Sequence, residues 1–297
     1  MSDTLVTNLD GLERHFHRWR SRARIGALRC AFRAFPLLAG SALEIAAAEF
    51  APARVPFYFS TDVRQIDPAL NDDLLDLYGR AEQVLENRFA FFNSPQSFQA
   101  GLNWAPPQSP SWRAELHACD YVLDLACTYR ISREDVYARQ LRYLIAHWIA
   151  SNPPVLGTGW QPHVLARRIR NWMLSADFAR SDWERDAQFS SLVAKSLALQ
   201  VTFLLSQLDS LSTPPARLDA SRALLCASRF FKGGGAREAW QSGFDLLARE
   251  PAFSPVEPWP HSRLEKAQVM QFPPISQGAP ALPRRKSHDI ALSPANA

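Results

Sequence analysis

The chain is short of the residues that metal, disulfide and membrane chemistry require. Its four cysteines, Cys30, Cys119, Cys127 and Cys226, show no metal-type pairing, so buried free thiols are expected. No phosphate loop, zinc motif or Gly-x-Ser-x-Gly elbow occurs, which removes the usual signatures of nucleotide, metal and serine-hydrolase chemistry. Neither a cofactor, a metal nor a nucleic-acid partner is implied. The most apolar window, Ile25 to Phe50, is broken by Arg29, Arg33, Pro36 and Glu44, so no integral membrane segment is expected. Met1 to Asp10 lacks the basic-then-apolar order of a secretory signal, which points to the cytoplasm. Strand-like alternation is missing, and so is a repeated unit of fixed length, which counts against a solenoid.

What is present is apolar and helical. At 297 residues and 47% apolar content, the chain can build one large core or two small ones. Nine of its 22 prolines fall beyond Glu250, so residues 251–297 are expected to form a disordered Pro-rich tail outside the core. A formal charge of +4 and a pI near 9.0 suit an anionic partner, and only the structure can show whether that excess gathers on one face.

Leu12 to Phe35 sets Arg14, Arg18, Arg20, Arg22 and Arg24 against Phe16, Trp19, Ile25, Leu28 and Phe32, the spacing of an amphipathic helix with a basic face. Such a face is solvated in the simplest reading; contact with an acidic polymer or a membrane surface are the alternatives. Residues 50–70 read as extended, and Asp72-Asp73 then open a helix with Leu74, Leu75, Leu77, Val84 and Leu85 on its apolar side. Further helices are expected over Trp112–Tyr129, from a Ser132 cap with Glu134 and Asp135 in the first turn, over Pro162–Phe178, Asp186–Leu208 and Leu218–Phe231, and from Ala236 to Arg249 after a Gly233-Gly234-Gly235 stop. This is an all-α chain of helical hairpins joined by short loops. Periodicity alone leaves bundle, solenoid and closed toroid open.

The most informative stretch is Asn152-Pro153-Pro154-Val155-Leu156-Gly157-Thr158-Gly159-Trp160-Gln161-Pro162-His163, which runs into Val164–Trp172. Two prolines set an extended segment, two glycines permit unusual backbone geometry, and Pro162 suits a helix first turn. Together with Ser109–His117, Asn87–Asn93, Leu102-Asn103-Trp104 and Arg222–Gly235, it resembles the N-terminal helical domain of the heparinase II/III-like polysaccharide lyases. The resemblance covers about half of the chain. It implies an incomplete α/α toroid over residues 70–250, preceded by a basic helical arm and linker over 1–69, with no β-sandwich domain. It also implies an acidic, uronate-containing polysaccharide as partner, and periplasmic or extracellular action in place of the cytoplasm.

Lyases of this kind cleave by β-elimination. A donor must neutralise the uronate carboxylate, a base must take the C5 proton, and an acid must protonate the departing O4. The family uses Asn for the first role, with Tyr and His for the others. This chain departs from that set: Thr213–Leu218 stands where the Gly-Asn-His element is expected, and no tyrosine follows Tyr143. The resemblance therefore implies a truncated, catalytically impaired lyase domain, with a non-enzymatic carbohydrate-binding or helical interaction module as the alternative.

Residue by residue, His117 matches the family's Leu-His element and is the catalytic candidate. Trp112 and Trp160 are candidates to stack on sugar faces. Arg113 and Arg168 are candidates to clamp a carboxylate; Asn171 lies three residues from Arg168 and so shares its face. Gln161 and His163 stand where the family more often has Glu and Tyr. Against each stands a plain packing role. Glu115, Asp120 and Asp124 raise a two-carboxylate glycosidase, although Glu115 and Asp120, five apart, would diverge on a helix.

Overall fold

The helices begin and end where backbone chemistry allows, and that positions everything else. The computed structural model describes residues 50–52, 70–99 and 101–249. The expected basic helix at 12–35, most of the extended segment before residue 70 and the Pro-rich tail lie outside the described residues. All described elements belong to one unit, apart from Leu70 and Asn71.

In chain order these elements are β1 (Ala51–Pro52), α1 (Leu70–Leu85), β2 (Arg88–Phe91), β3 (Ser94–Ser97), α2 (Pro110–Ala118), α3 (Asp120–Ser132), α4 (Asp135–Ser151), α5 (Pro162–Phe178), α6 (Arg180–Trp183), α7 (Ala187–Ser206), α8 (Pro214–Phe230), β4 (Phe231–Lys232) and α9 (Gly234–Ala248). Short 3-10 turns at Thr158–Trp160 and Leu208–Ser210 complete the set. The described chain is mostly helical, as expected.

Local physics corrects several expectations. The single helix expected over Trp112–Tyr129 is two, because Cys119 adopts a left-handed backbone (φ 59°) that ends α2 and starts α3. Helix α8 starts at Pro214 and not at Leu218: the Thr213 side chain accepts a hydrogen bond from the Ala216 amide, and the two prolines occupy a first turn that needs no donors. The Ser132 cap also gives way. Ser132 ends α3, its hydroxyl bonding Thr128 O, and Glu134 takes the N-cap position of α4. Strand structure, not expected at all, occurs as an antiparallel hairpin, Arg88–Phe91 with Ser94–Ser97, and as a two-residue pairing of Ala51 and Pro52 with Lys232 and Phe231. Leu75, expected on the apolar side of α1, is exposed; Leu77, Ala81 and Val84 carry the burial.

The core is centred on α5, which packs on α2, α3, α7 and α8, while α7 also packs on α4. Helix α4 buries Leu141, Leu144, Ile145 and Trp148, the face read from the sequence. Helix α7 buries Phe189, Val193, Leu197, Val201 and Leu204 at three- and four-residue intervals. It is long and apolar enough to cross a bilayer, yet 67% of that window is buried inside the fold, as in a core helix. Gly235 at the start of α9 closes the β1–β4 corner: a Cβ there would sit 2.4 Å from Phe50 Cζ, so only glycine admits the Phe50 ring.

Candidate functional site

The turn before α5 is pinned from inside. Trp160 is buried at 4% exposure and meets the Phe203 ring edge-on at 5.5 Å, so it anchors the Gly-rich turn to α7. Gly159 passes so close to the neighbouring helices that a Cβ would lie 2.9 Å from both His117 Nδ1 and Trp148 Cζ2. Its lack of a side chain is what lets the turn seat.

Behind it lies a buried polar knot. The Trp148 indole donates to His117 Nδ1 at 3.1 Å, and because an indole only donates, the other ring nitrogen, Nε2, carries the proton and donates to Trp104 O at 3.0 Å. Burial and the nearby Arg168 charge lower the His117 pKa to about 4, so the ring is neutral near pH 7. Both nitrogens are occupied and the ring is 4% exposed; His117 is placed to hold α2 and α4 together, not to move a substrate proton. Arg168 is fully buried, donating to Gln200 Oε1 (3.0 Å), His117 O (3.1 Å) and Gly159 O (2.6 Å), with its guanidinium 3.7 Å above the Trp148 ring. Its remaining nitrogen, Nη2, is buried with no hydrogen-bond partner among the described residues. Asn171 gives its amide to Ala118 O and to Asp120, and Trp112 is 1% exposed with its indole N–H on Ser94 O. Arg113, half-buried, grips the carbonyl of Gln108 at 3.0 Å. The structure therefore brings His117, Trp160 and Arg168 together, but beneath the surface.

What reaches solvent is the outer side of the same helix start. A cleft of about 470 Å³ opens between the first turns of α5 and α8, with His163, Arg167, Ser210, Leu211, Thr213 and Asp219 on its walls. That volume falls within the ~300–1,000 Å³ common for small-ligand sites. Gln161 is exposed one residue before Pro162. Of the residues singled out above, only His163 lines this cleft.

The guanidinium on the cleft wall is already engaged. Arg167 holds both Glu115 oxygens at 2.7 Å and Asp120 Oδ2 at 2.5 Å. The break at Cys119 makes this convergence possible: on one continuous helix the two acids would point apart, and here they share one guanidinium. These acids hold the Arg167 proton more firmly. Asp124, by contrast, is buried and forked onto Arg80 (3.0 and 3.1 Å), away from the cleft. Asp219 has its carboxyl pKa raised, mainly by burial, against the lowering influence of Arg170, Arg222 and Arg167. Among the described residues it faces Arg222 Nη1 at 3.9 Å. Partial burial and then the Arg167 charge lower the His163 pKa, while Asp219 and Glu115 oppose this. Among the described residues, no three His, Cys, Asp or Glu side chains converge as a metal site requires.

Asp219 and the 210–213 loop are absent from the residues proposed from sequence. The signal for them was the Thr-Pro-Pro start: once Thr213 is the cap, Pro215, Ala216 and Asp219 share one face of α8.

No family model matches this chain, and no curated protein matches it in sequence. Its fold is similar to solved heparan sulfate lyases. Against a mutant of heparan sulfate lyase HepC from Pedobacter heparinus the TM-score is 0.51 at 19% identity, over 75% of this chain and 36% of that one. Heparinase III, the BT4657 gene product with methylated lysines, gives 0.54 at 17% identity over 76% and 38%. The chain thus spans little more than a third of the lyases it matches.

Proposed function

We propose that this chain is a heparinase II/III-like polysaccharide-lyase domain, an incomplete α/α toroid that engages an acidic, uronate-containing polysaccharide at the α5–α8 cleft with elimination impaired. The observation that carries the reading is the fold shared with heparan sulfate lyases over three-quarters of the chain. The cleft supports it, since it opens at the helix start that carries the sequence resemblance. Gln161, exposed just before Pro162, stands near the same helix start as a polar contact for a bound chain.

The impairment follows from the equipment. Elimination needs a free donor for the carboxylate, a base and an acid. Arg167, the cation on the cleft wall, already serves two carboxylates, Asn171 and His117 are committed inside, and no tyrosine lines the cleft. His163 and the Asp219 carboxylate are left as proton acceptors, and among the described residues the wall offers no tyrosine acid and no uncommitted guanidinium beside them.

Incubating the full chain with heparan sulfate oligosaccharides tests both halves, by calorimetric titration and by the ultraviolet absorbance of the unsaturated product. Binding with a flat absorbance trace is expected. A steady rise overturns the impairment, and no heat of binding overturns the glycan reading. The second reading, a helical interaction module, is favoured by one feature: Trp240 and Phe244 stand half-exposed on α9 with ring centroids 5.0 Å apart.

A further inference from the structure

Asp219 is a cleft-wall carboxylate with no salt bridge as tight as those of Glu115 and Asp120. The groups that act on it are Arg170 and Arg167 from α5, Arg222 from its own helix and Asp120 from α3. Those acting on His163 are Arg167, Asp219 and Glu115 from α2. The loop over residues 210–213 adds no titratable side chain, and its carbonyls at Ser212 and Leu211 are held by Arg217 at 3.0 and 3.5 Å. Arg170 has a buried Nε with no hydrogen-bond partner among the described residues.

We propose that Asp219 is a resident anion of the cleft, standing on the wall across which a sugar carboxylate or sulfate would rest, so that acidic glycan enters only as the cleft gains protons. This rests on the cleft being the glycan site. Before that gain the wall presents Arg167 held by Glu115 and Asp120, an uncharged His163 and the Asp219 carboxylate, which together oppose an anionic ligand. Asp219 titrates above the ordinary 3.8 and His163 below the ordinary 6.5. A fall in pH removes one negative charge and adds one positive charge on the cleft walls. A sugar sulfate stays ionised throughout, and a uronate through most of it. Binding therefore strengthens as pH falls, whereas a cleft presenting a free arginine would bind a sulfate equally across that fall.

The test titrates the full chain and an Asp219→Asn variant with a sulfated heparan oligosaccharide and with an unsulfated uronate oligosaccharide, at low salt, at about pH 5 and about pH 7.5. The parent chain is expected to bind at least about tenfold tighter at the lower pH. Asp219→Asn raises the affinity near pH 7.5 to within about threefold of that value. The unsulfated arm shows whether a carboxylate alone suffices. Equal affinity at both pH values, or unchanged or weaker binding by Asp219→Asn, overturns the proposal. Absence of binding by either chain at either pH overturns the glycan reading instead. A ligand-free measurement keeps the two apart: Asp219 supports the His163 proton, so Asp219→Asn lowers the midpoint of the His163 imidazole in an NMR titration, and an unmoved midpoint overturns the resident-anion role.

Discussion

Arg168 is charged, fully buried and, among the described residues, not paired with a carboxylate, so its burial is offset by other means. Two carbonyls, a glutamine oxygen and the face of Trp148 supply partial negative charge on several sides. Desolvation lowers its pKa to about 9, which still leaves it protonated at neutral pH. That cation has a consequence next door, because it joins burial in keeping His117 neutral. The folded state refuses the His117 proton down to about pH 4, whereas the unfolded chain accepts it near the ordinary 6.5. The stability that depends on neutral His117 is therefore complete above about 6.5 and is lost as pH falls toward 4, amounting to about 3 kcal/mol. Chemical denaturation of the parent and of His117→Asn across this window measures it. The parent should lose that amount relative to the variant, and parallel pH profiles would remove the neutral-histidine assignment.

At the scale of elements, the cleft depends on how α8 starts. Thr213 satisfies the Ala216 amide and fixes the loop that forms one wall, so Thr213→Ala is expected to cost about 1 kcal/mol in thermal or denaturant unfolding. It should also weaken oligosaccharide binding, whereas a cap lost far from the cleft, Asp186→Ala at the start of α7, should affect stability alone. The same helix starts show what sequence can and cannot carry. Helix α5 was legible end to end because Pro162 and the apolar spacing agree. Helix α4 was legible in its buried face for the same reason. The α2–α3 break was not, because left-handed backbone at Cys119 is imposed by tertiary packing on a residue type that does not advertise it. The Thr213-Pro214-Pro215 start was misjudged because two prolines signal a loop and a first turn equally well. The Arg88–Ser97 hairpin escaped notice because four-residue strands give too short a pattern.

For the whole molecule, periodicity announced a mostly helical fold correctly, but the aromatic and cationic residues that looked like ligand contacts were largely used to build its core. Long flat or forked side chains serve both ends, and spacing does not tell them apart. The net charge conceals a similar division. Seven of the 33 basic and one of the 29 acidic side chains fall within residues 12–35, which leaves 26 basic against 28 acidic in the rest of the chain. Several arginines of the described body are moreover paired, Arg80 with Asp124, Arg142 with Asp182 and Arg167 with Glu115 and Asp120. On the proposed glycan reading, long-range attraction for a polyanion originates largely in residues 12–35, while the cleft contributes short-range recognition. These two contributions separate in their response to salt, because each cation that releases a counterion steepens the dependence of affinity on ionic strength. Replacing Arg18, Arg20, Arg22 and Arg24 by glutamine is expected to flatten the slope of log affinity against log salt for long heparan sulfate by about 3, taking the per-charge value known for polyanionic strands. Binding of a short oligosaccharide should stay within about twofold, since it spans only the cleft. An unchanged slope for the long polymer would place the attraction on the folded body, against the charge count, and would make the cleft the principal polyanion contact.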